Sequence, residues 1–302
     1  MTKYGQTFDT LKNNQLAPKK RFGQNFLVHK STAEAIVRAG QVSNTDIILE
    51  VGVGLGALTV PLAATAKHVF GYEIDSGIIR LHKEEGDLPD NVTLVHQDIL
   101  DADFQEIANK CGGRLKILAN LPYSISNPFI FKLIENASLI DSATIMLQKE
   151  VADRLMATPC TKDYGVPTVL LASCATVQKL MTLKPGEFHP RPKIDSVVVR
   201  ISFKYATSGE TELPRYDYAL FRQIVRTTFN QRRKTILNTL SGAAFFADSM
   251  KNDKAINKKI TLQSIEQANL KPNARPETLT VTDFINLSIQ VSCNKAKALH
   301  SN

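Results

Sequence analysis

Short apolar segments alternate with helix-like segments along the first half of the chain, and this alternation restricts the fold more than any other feature. The first such segment, Ile47–Val51, reads I-I-L-E-V and is typical of a strand buried on both faces. Similar segments recur with room for a helix between them, at His68–Glu73, 92–97, 115–119 and 144–147. Because strands joined by crossover helices run parallel, the pattern predicts a mostly parallel sheet covered by helices.

The pattern changes toward the end of this region. Residues 177–183 and Ser196–Phe203 resemble two strands with no helix between them, which predicts an antiparallel pair. We therefore expect an α/β fold with a seven-stranded sheet whose last strand is antiparallel. Helical patterns dominate after residue 205, so we expect a flexible tail over 1–18, a main domain over 19–208 and a helical domain over 209–302.

A glycine-rich turn follows the first strand in the sequence E-V-G-V-G-L-G, which spans residues 50–56. Gly52, Gly54 and Gly56 permit a tight turn and a close approach of backbone to a ligand. Their G-x-G-x-G spacing differs from the G-x-G-x-x-G of dinucleotide-binding turns. With Glu50 two positions before the first glycine, the turn suits a nucleoside ligand that lacks a pyrophosphate.

Two acidic residues stand at the ends of the next two strands. Glu73 could accept hydrogen bonds from both hydroxyls of a ribose, and Asp98 could accept one from an adenine amino group. Either acid alone is as well explained as a solvated strand end or a helix N-cap. Together with the glycine-rich turn, they favour a nucleoside cofactor.

The fourth strand ends in A-N-L-P-Y-S-I-S, residues 119–126. The Asn120 side chain and the Leu121 carbonyl could both accept hydrogen bonds from an exocyclic amine of a nucleobase. Pro122 restricts Leu121 to extended conformations, and Tyr123 could stack on the base. The alternative is an ordinary Asn-Pro turn with a surface tyrosine.

Charge and composition restrict the class of binding partner and the cellular compartment. The formal net charge of +8 favours a polyanionic partner, although a generic basic protein would have the same charge. The first ten residues lack the apolar core of a signal peptide, and the four cysteines have no C-x-x-C or metal-ligand spacing. These features predict a cytoplasmic protein without a metal site.

Several motifs together resemble the S-adenosylmethionine-dependent rRNA adenine N6-dimethyltransferases. They are E-V-G-V-G-L-G, F-G-Y-E, Q-D-I-L, N-L-P-Y-S-I-S, K-R-F-G-Q-N-F-L (20–27), M-L-Q-K-E-V-A-D-R-L (146–155), F-H-P-R-P-K-I-D-S (188–196) and F-N-Q-R-R-K-T (229–235). Three of them, at 20–27, 188–196 and 229–235, point to the housekeeping branch that acts on 16S rRNA. Val53 and Ser124 depart from the residues common in the family.

This resemblance implies a Rossmann-like class I methyltransferase domain, a helical C-terminal domain and S-adenosyl-L-methionine as cofactor. It implies dimethylation of two adjacent adenosines in the 3′-terminal hairpin of 16S rRNA, within the 30S subunit or its precursor, by a monomer. Cofactor contacts would fall on Asn25, Leu27, Gly52, Gly54, Glu73, Asp98 and Asn120. Phe188 resembles a second aromatic near the target base, or it could be a core residue of the strand pair.

Basic residues near these motifs are candidates for phosphate contacts. They are Lys19, Lys20, Arg21, Arg191, Lys193, Arg232, Arg233 and Lys234. A solvated charged face explains any one of them equally well, and the 231–234 cluster could instead hold a domain interface. Three other functions stay open: a 23S rRNA resistance methylase, an adenine DNA methylase, or a non-catalytic assembly factor with this fold.

Overall fold

The computed structural model describes residues 23–204, 214–243 and 254–300. The predicted tail and the candidate contacts Lys19, Lys20 and Arg21 lie outside these residues. The chain divides into two compact units. One comprises the residues up to Asp153 with Ala175–Lys204, and the other comprises Arg154–Cys174 with the residues from Tyr205 onward.

A seven-stranded sheet forms the centre of the first unit, with strand order β4-β3-β2-β5-β6-β9-β7. Its strands are β2 (Ile47–Val51), β3 (His68–Glu73), β4 (Val92–His96), β5 (Leu115–Asn120), β6 (Ile140–Gln148), β7 (Ala175–Leu183) and β9 (Ser196–Phe203). The pairs from β4 through β6 are parallel, whereas β9 is antiparallel to both β6 and β7. The predicted sheet and its antiparallel last strand are therefore confirmed.

A second, two-stranded sheet was not expected from the sequence. Strand β1 (Phe26–Leu27) pairs antiparallel with β8 (Phe188–His189), so that Leu27 lies opposite Phe188. Each strand has only two residues, too few for a recognisable alternation of apolar and polar side chains. This small sheet joins the beginning of the described chain to the segment between β7 and β9.

Helices connect the strands of the first unit. They are α1 (Lys30–Ala39), α2 (Thr59–Thr65), α3 (Ser76–Glu85), α4 (Phe104–Cys111) and α5 (Ser126–Glu135), with α6 (Lys149–Leu155) at the boundary between the two units. Helix α3 begins where the Asp75 carboxylate accepts a hydrogen bond from the Gly77 amide, and it ends at Gly86 in the left-handed conformation. These local signals determine where α3 starts and stops.

The order of the strands creates a crevice. The chain adds β3 and β4 on one side of β2 and then places β5 on the other side. Side chains along β2 and β5, including Ile48, Leu49, Ile117 and Leu118, are fully buried. A ligand crevice is expected outside the carboxyl ends of β2 and β5, at the point where the strand order reverses.

The second unit is helical in the residues that the structure describes. It contains α7 (Val166–Cys174), α8 (Tyr218–Asn230), α9 (Ile236–Leu240), α10 (Lys254–Gln267) and α11 (Val281–His300). Its core includes Phe221 and Phe284, which are fully buried, and Tyr164, whose hydroxyl donates to the Leu279 carbonyl at 2.8 Å. Residues 154–174 cluster with this unit, whereas the domain expected over 19–208 includes them.

Within the described ranges, no helix combines the length and apolar character needed to cross a bilayer.

Candidate cofactor and substrate site

A cavity of about 290 Å³ lies at the carboxyl edge of the sheet, beside the point where the strand order reverses. All seven residues predicted as cofactor contacts line it: Asn25, Leu27, Gly52, Gly54, Glu73, Asp98 and Asn120. Pro122 of the N-L-P-Y motif lines it as well. Such a concave, mostly apolar site with a few polar groups is typical of small-molecule binding.

The glycine-rich turn forms one wall of the cavity. Gly52 and Gly54 have φ angles of +80° and +56°, in the region that favours glycine. A Cβ on Gly54 would lie 3.1 Å from Phe26 Cδ1, and one on Gly52 would lie 3.3 Å from the Asn120 carbonyl oxygen. The glycines therefore allow the turn to pack closely against the N-terminal segment and the end of β5.

Glu73 lies at the end of β3, and each of its carboxylate oxygens accepts a hydrogen bond from a backbone amide. Gly54 donates to Oε2 at 3.0 Å and Asp75 donates to Oε1 at 2.8 Å. Burial raises the pKa of Glu73, against the lowering effect of these amide donors. Each oxygen keeps a second acceptor position, so the pair of oxygens could receive two hydroxyl groups of a ligand.

Asp98 follows β4 and lies on the cavity wall, half-buried. Its Oδ1 accepts a hydrogen bond from the Leu100 amide at 2.8 Å. Among the described residues, no partner is found for Oδ2. This oxygen is available as an acceptor for a base amino group.

Glu50 lies beneath the turn and is fully buried. Neither of its carboxylate oxygens has a hydrogen-bond partner among the residues that the structure describes. Burial, together with the negative charge of Glu73, raises the pKa of Glu50 to about 8. The raised pKa favours the neutral form of this acid, and Glu50 is not among the residues that line the cavity.

The N-terminal segment, residues 23–29, forms a second wall, with residues 24–27 lining the cavity. Gln24 donates to Asp75 Oδ2 at 3.0 Å, and the Val28 amide donates to the Glu187 carbonyl at 3.0 Å. Phe26 packs against Gly54, and Leu27 is buried beside Phe188. Apart from Gly54, the residues that hold this segment lie more than fifty positions away in sequence.

Asn120 connects this segment to the end of β5. Its Nδ2 donates to the Asn25 carbonyl at 3.0 Å. A carbonyl oxygen can only accept, so the side-chain atom that faces it must be the nitrogen, Nδ2. The other atom of the amide, Oδ1, is then free to accept a hydrogen bond. Within the described part of the chain, Oδ1 has no hydrogen-bond partner.

The rest of the N-L-P-Y motif surrounds Asn120. Leu121 is buried, and Pro122 lies on the cavity wall with φ −54° and ψ 133°. Tyr123 is half-buried and does not line the cavity; its hydroxyl is 2.8 Å from the Ser196 hydroxyl. Burial raises the pKa of Tyr123, so the ring is held as a neutral phenol.

Phe188 is 2% exposed and belongs to the apolar core that also contains Leu27 and Leu183. The structure thus places Phe188 as the core residue of the strand pair, which was the alternative to a position next to the target base. Its packing against the N-terminal segment buries both ring faces away from solvent. Phe188 does not line the cavity, and its stacking on the target base stays a prediction.

Several residues near the site were not predicted from the sequence. Gln24, Asp75 and Ser196 hold the cavity walls through the contacts described above, and His82 lies behind the turn with a hydrogen bond to the Gly54 carbonyl. Gln24 was recognisable from its place beside Asn25. His82 and Ser196 have partners distant in sequence, at Gly54 and Tyr123, and the local pattern marks Asp75 only as the N-cap of α3.

The described basic candidates differ in their surroundings. Arg191, Lys193, Arg233 and Lys234 are exposed. Arg232 donates to the Lys162 carbonyl at 2.7 Å and the Thr161 carbonyl at 2.9 Å, and its Nε is 3.7 Å from Glu277. Arg232 therefore stabilises the second unit internally, which leaves the other four as candidate contacts to a polyanion.

The family model described as ribosomal RNA adenine dimethylase matches residues 15–273. The chain is 62% identical over 288 residues to ribosomal RNA small subunit methyltransferase A of Desulfotalea psychrophila, covering 95% of this chain and 96% of that protein. It is 36% identical to the protein of the same name from Desulforapulum autotrophicum, covering 92% and 93%.

Solved structures give the same picture of the fold. A dimethyladenosine transferase from Plasmodium falciparum aligns with a TM-score of 0.73 and 27% identity, covering 89% of this chain and 98% of that one. The 23S rRNA methyltransferase ErmE aligns with a TM-score of 0.61 and 22% identity, covering 89% and 100%. At that identity, the second likeness concerns the fold alone.

Proposed function

The chain belongs to the ribosomal RNA adenine dimethylase family, and from that premise we propose that it dimethylates N6 of two adjacent adenosines in the 3′-terminal hairpin of 16S rRNA. It is an enzyme that methylates rRNA adenines, and its methyl donor is S-adenosylmethionine. The name shared by the curated relatives, small subunit methyltransferase, supports 16S over 23S rRNA as the substrate.

The observation that supports the reaction site best is the orientation of Asn120. Its Nδ2 donates to the Asn25 carbonyl, so Oδ1 is left to accept a hydrogen bond from an adenine amine. The amine's lone pair is delocalised into the base and is a poor nucleophile. Two acceptors, Asn120 Oδ1 and the Leu121 carbonyl, would favour a more tetrahedral nitrogen with a localised lone pair.

The cavity residues fit S-adenosylmethionine by the chemistry of their donors and acceptors. Glu73 offers two oxygens, already oriented by backbone amides, to the two ribose hydroxyls. Asp98 offers Oδ2 to the adenine amino group. Gly52 and Gly54 carry no side chain, so their backbone can approach the ligand.

When bound, the cofactor supplies a methyl group activated by an adjacent positive sulfur. The chain itself provides no strong general base at N-L-P-Y, and the methylated nitrogen can lose its proton to water afterwards. Asn120 and Leu121 therefore act by orienting the amine, and the N-terminal segment limits access of water to the crevice. Positioning of this kind accounts for most of the expected rate enhancement.

We propose that Tyr123 stacks on the target adenine once the base has left its helical stack. The bond from its hydroxyl to Ser196 supports this role, because it restricts the ring at the first residue of β9. Stacking on an aromatic ring contributes about 1–3 kcal/mol for each base. Phe188 contributes indirectly, by packing under Leu27.

For RNA contacts we propose the exposed Arg191, Lys193, Arg233 and Lys234, together with Lys19, Lys20 and Arg21, which lie outside the described residues. Such contacts neutralise phosphates and position the RNA without selecting sequence. The net charge of +8 supports this assignment. We further propose that the enzyme acts as a cytoplasmic monomer on the 30S subunit or its precursor.

The decisive experiment offers three substrates to the purified protein with radiolabelled S-adenosylmethionine. Unmethylated 30S particles should be labelled, and digestion of their rRNA should yield N6,N6-dimethyladenosine from two adjacent positions. Unmethylated 50S particles and adenine-containing duplex DNA should stay unlabelled. Labelling of 23S rRNA or DNA in place of 30S would overturn the proposed substrate, and no transfer to any of them would leave the assembly-factor alternative.

A further inference from the structure

His82 is a buried histidine of α3 that lies directly behind the glycine-rich turn. Its side chain is 1% exposed. Nε2 is 2.8 Å from the Gly54 carbonyl oxygen, and Nδ1 is 2.7 Å from Asp87 Oδ1. Both ring nitrogens are therefore engaged at hydrogen-bonding distance.

The chemistry of the two partners determines the protonation of the ring. A backbone carbonyl oxygen only accepts hydrogen bonds, and an ionised carboxylate also only accepts. Both ring nitrogens must then donate, which a neutral imidazole cannot do. The arrangement requires an imidazolium.

The surrounding charges agree with this assignment. Burial by itself lowers the pKa of His82, but the hydrogen bonds to Asp87 and Gly54 and the negative charges of Asp87 and Glu73 outweigh burial and raise it above the ordinary 6.5. Asp87 faces the ring from the loop after α3, and Glu73 faces it from β3. The turn that packs on the ring adds no charge, because Gly54 and Gly56 have no titratable group. Leu88, which lies near Gly56, is apolar.

Both backbone polar groups of Gly54, its amide and its carbonyl, are hydrogen-bonded to charged side chains. Its amide donates to Glu73 Oε2 at 3.0 Å, and its carbonyl accepts from His82. Gly54 has a φ of +56° and lines the cavity, whereas His82 and Asp87 do not line it. The conformation of the turn thus depends on a positive charge located outside the ligand site.

We propose that His82 is a positioning residue for cofactor binding, acting as an imidazolium that Asp87 holds against the Gly54 carbonyl. The proposal rests on the proposed role of Gly54 and Glu73 in the cofactor site. His82 fixes the glycine-rich turn from behind, and the charge that it carries is required for both of its hydrogen bonds. Loss of one ring proton would leave a nitrogen lone pair facing either the Asp87 carboxylate or the Gly54 carbonyl oxygen, so one of the two contacts must break.

The sign of the pH dependence follows from the direction of the shift. Because the pKa of His82 is raised in the folded protein, its stabilising contribution is fully present below the ordinary value of 6.5. The contribution is lost as the pH rises through the raised value. The turn should therefore hold the cofactor best at mildly acidic to neutral pH.

The first measurement is direct and needs no ligand. Nitrogen-15 NMR of the ring nitrogens, with His82 assigned by comparison with His82→Gln, should show both nitrogens protonated at about pH 6 and should follow the loss of one proton as the pH rises. The midpoint of the titration should lie above 6.5 in the wild type and move down in Asp87→Asn. A His82 titration midpoint at or below the ordinary 6.5 would overturn the proposal, whatever the variants do.

The second measurement is binding of S-adenosylhomocysteine by calorimetry, from about pH 6 to about pH 9. At about pH 6 the wild type should bind roughly five- to tenfold more tightly than His82→Gln, and this ratio should shrink as the pH rises. Comparison of the two proteins at the same pH cancels the titration of the ligand's own amino group. Asp87→Asn should also bind S-adenosylhomocysteine more tightly than His82→Gln at low pH. As the pH rises, this difference in affinity should disappear at a lower pH than it does for the wild type.

A matched control is His68→Gln, which removes a half-buried histidine hydrogen-bonded to Thr93 rather than to the turn. Its affinity should equal that of the wild type across the pH range. Equal affinities of wild type and His82→Gln at every pH, with both proteins folded by circular dichroism, would contradict the proposed role. If the wild type does not bind S-adenosylhomocysteine at all, the cofactor assignment fails, whereas the NMR titration still decides the charge of His82.

Discussion

The two walls of the cavity are built in different ways. The glycine-rich turn is connected to Glu73 over 19 sequence positions, and Glu73 to Asp75 over two. The N-terminal segment is connected over 51 positions to Asp75 and over 95 positions to Asn120. One wall therefore follows from the local course of two neighbouring strands, whereas the other depends on side chains that only the folded domain brings together.

This difference has an energetic consequence. The turn is bonded directly to β3, through the Gly52 amide on the Tyr72 carbonyl and the Gly54 amide on the Glu73 carboxylate, so disturbing it strains the edge of the sheet. The N-terminal segment is held by a few side-chain hydrogen bonds and by apolar packing of Phe26 and Leu27. Single substitutions can loosen that segment while the seven-stranded sheet stays intact.

The largest effect is expected from Phe188→Ala, which tests whether packing holds the N-terminal segment. Removing a ring that is 2% exposed from the core beside Leu27 should lower the free energy of unfolding by about 3–5 kcal/mol. Chemical denaturation measures this loss, and Phe188→Leu should lose distinctly less. Unchanged stability with a loss of RNA methylation would instead return Phe188 to the role of a stacking residue.

Asn120→Ala should have the next largest effect, because this residue belongs to both the reaction site and the second wall. Loss of one preorganised hydrogen-bonding group typically lowers kcat by about 10²–10³, equivalent to about 2.7–4 kcal/mol. Methyl transfer to 30S particles should fall by that factor, while RNA binding by filter retention stays unchanged.

Asn120→Asp separates the two roles of this residue. It keeps an acceptor oxygen but cannot donate to the Asn25 carbonyl, so the N-terminal segment should loosen. Limited proteolysis should cut this variant faster than the wild type before Ala33. Full methylation activity in Asn120→Ala would remove the amide from the mechanism.

Gly54→Ala tests the first wall. A left-handed conformation costs a non-glycine residue about 1–2 kcal/mol, and the new Cβ would lie 3.1 Å from Phe26. Cofactor affinity should fall roughly tenfold, as measured by calorimetry. Gly86→Ala is the matched control, since Gly86 has the same φ of +56° with no atom within 4 Å of its added Cβ. Gly86→Ala should lose stability but keep its affinity for the cofactor. Equal losses of affinity in both variants would show that the effect of Gly54→Ala does not come from its place in the cavity wall.

Gln24→Ala should give the smallest effect. It removes one hydrogen bond to Asp75, worth about 0.5–1.5 kcal/mol, and leaves the capping bond from Gly77 to Asp75 in place. Cofactor affinity should fall by a few-fold, with little change in the denaturation midpoint. A loss of cofactor affinity as large as that of Gly54→Ala would mean that the two walls are equally rigid, and the N-terminal segment would then not be the more easily loosened of the two.

The sequence predicted most of the sheet because its strands are short, apolar and separated by helices. β2, β3 and β9 were predicted with their observed ends, and β6 was predicted too short, at 144–147 instead of Ile140–Gln148. Residues 140–143, I-D-S-A, contain polar side chains that weaken an apolar pattern, although pairing with β5 and β9 buries Ser142. Neighbouring strands, and not local preference, extend β6.

Residue pattern alone determined the turn wall of the site. The glycines, Glu73 and Asp98 stand at strand ends, and parallel strands bring their carboxyl ends to one edge of the sheet. Family resemblance, rather than spacing, indicated Asn25 and Leu27. Only the tertiary structure decided how the second wall is held, since it rests on Asn120–Asn25, Gln24–Asp75 and Leu27–Phe188, and hydrogen bonds between distant residues leave no periodic trace in a sequence.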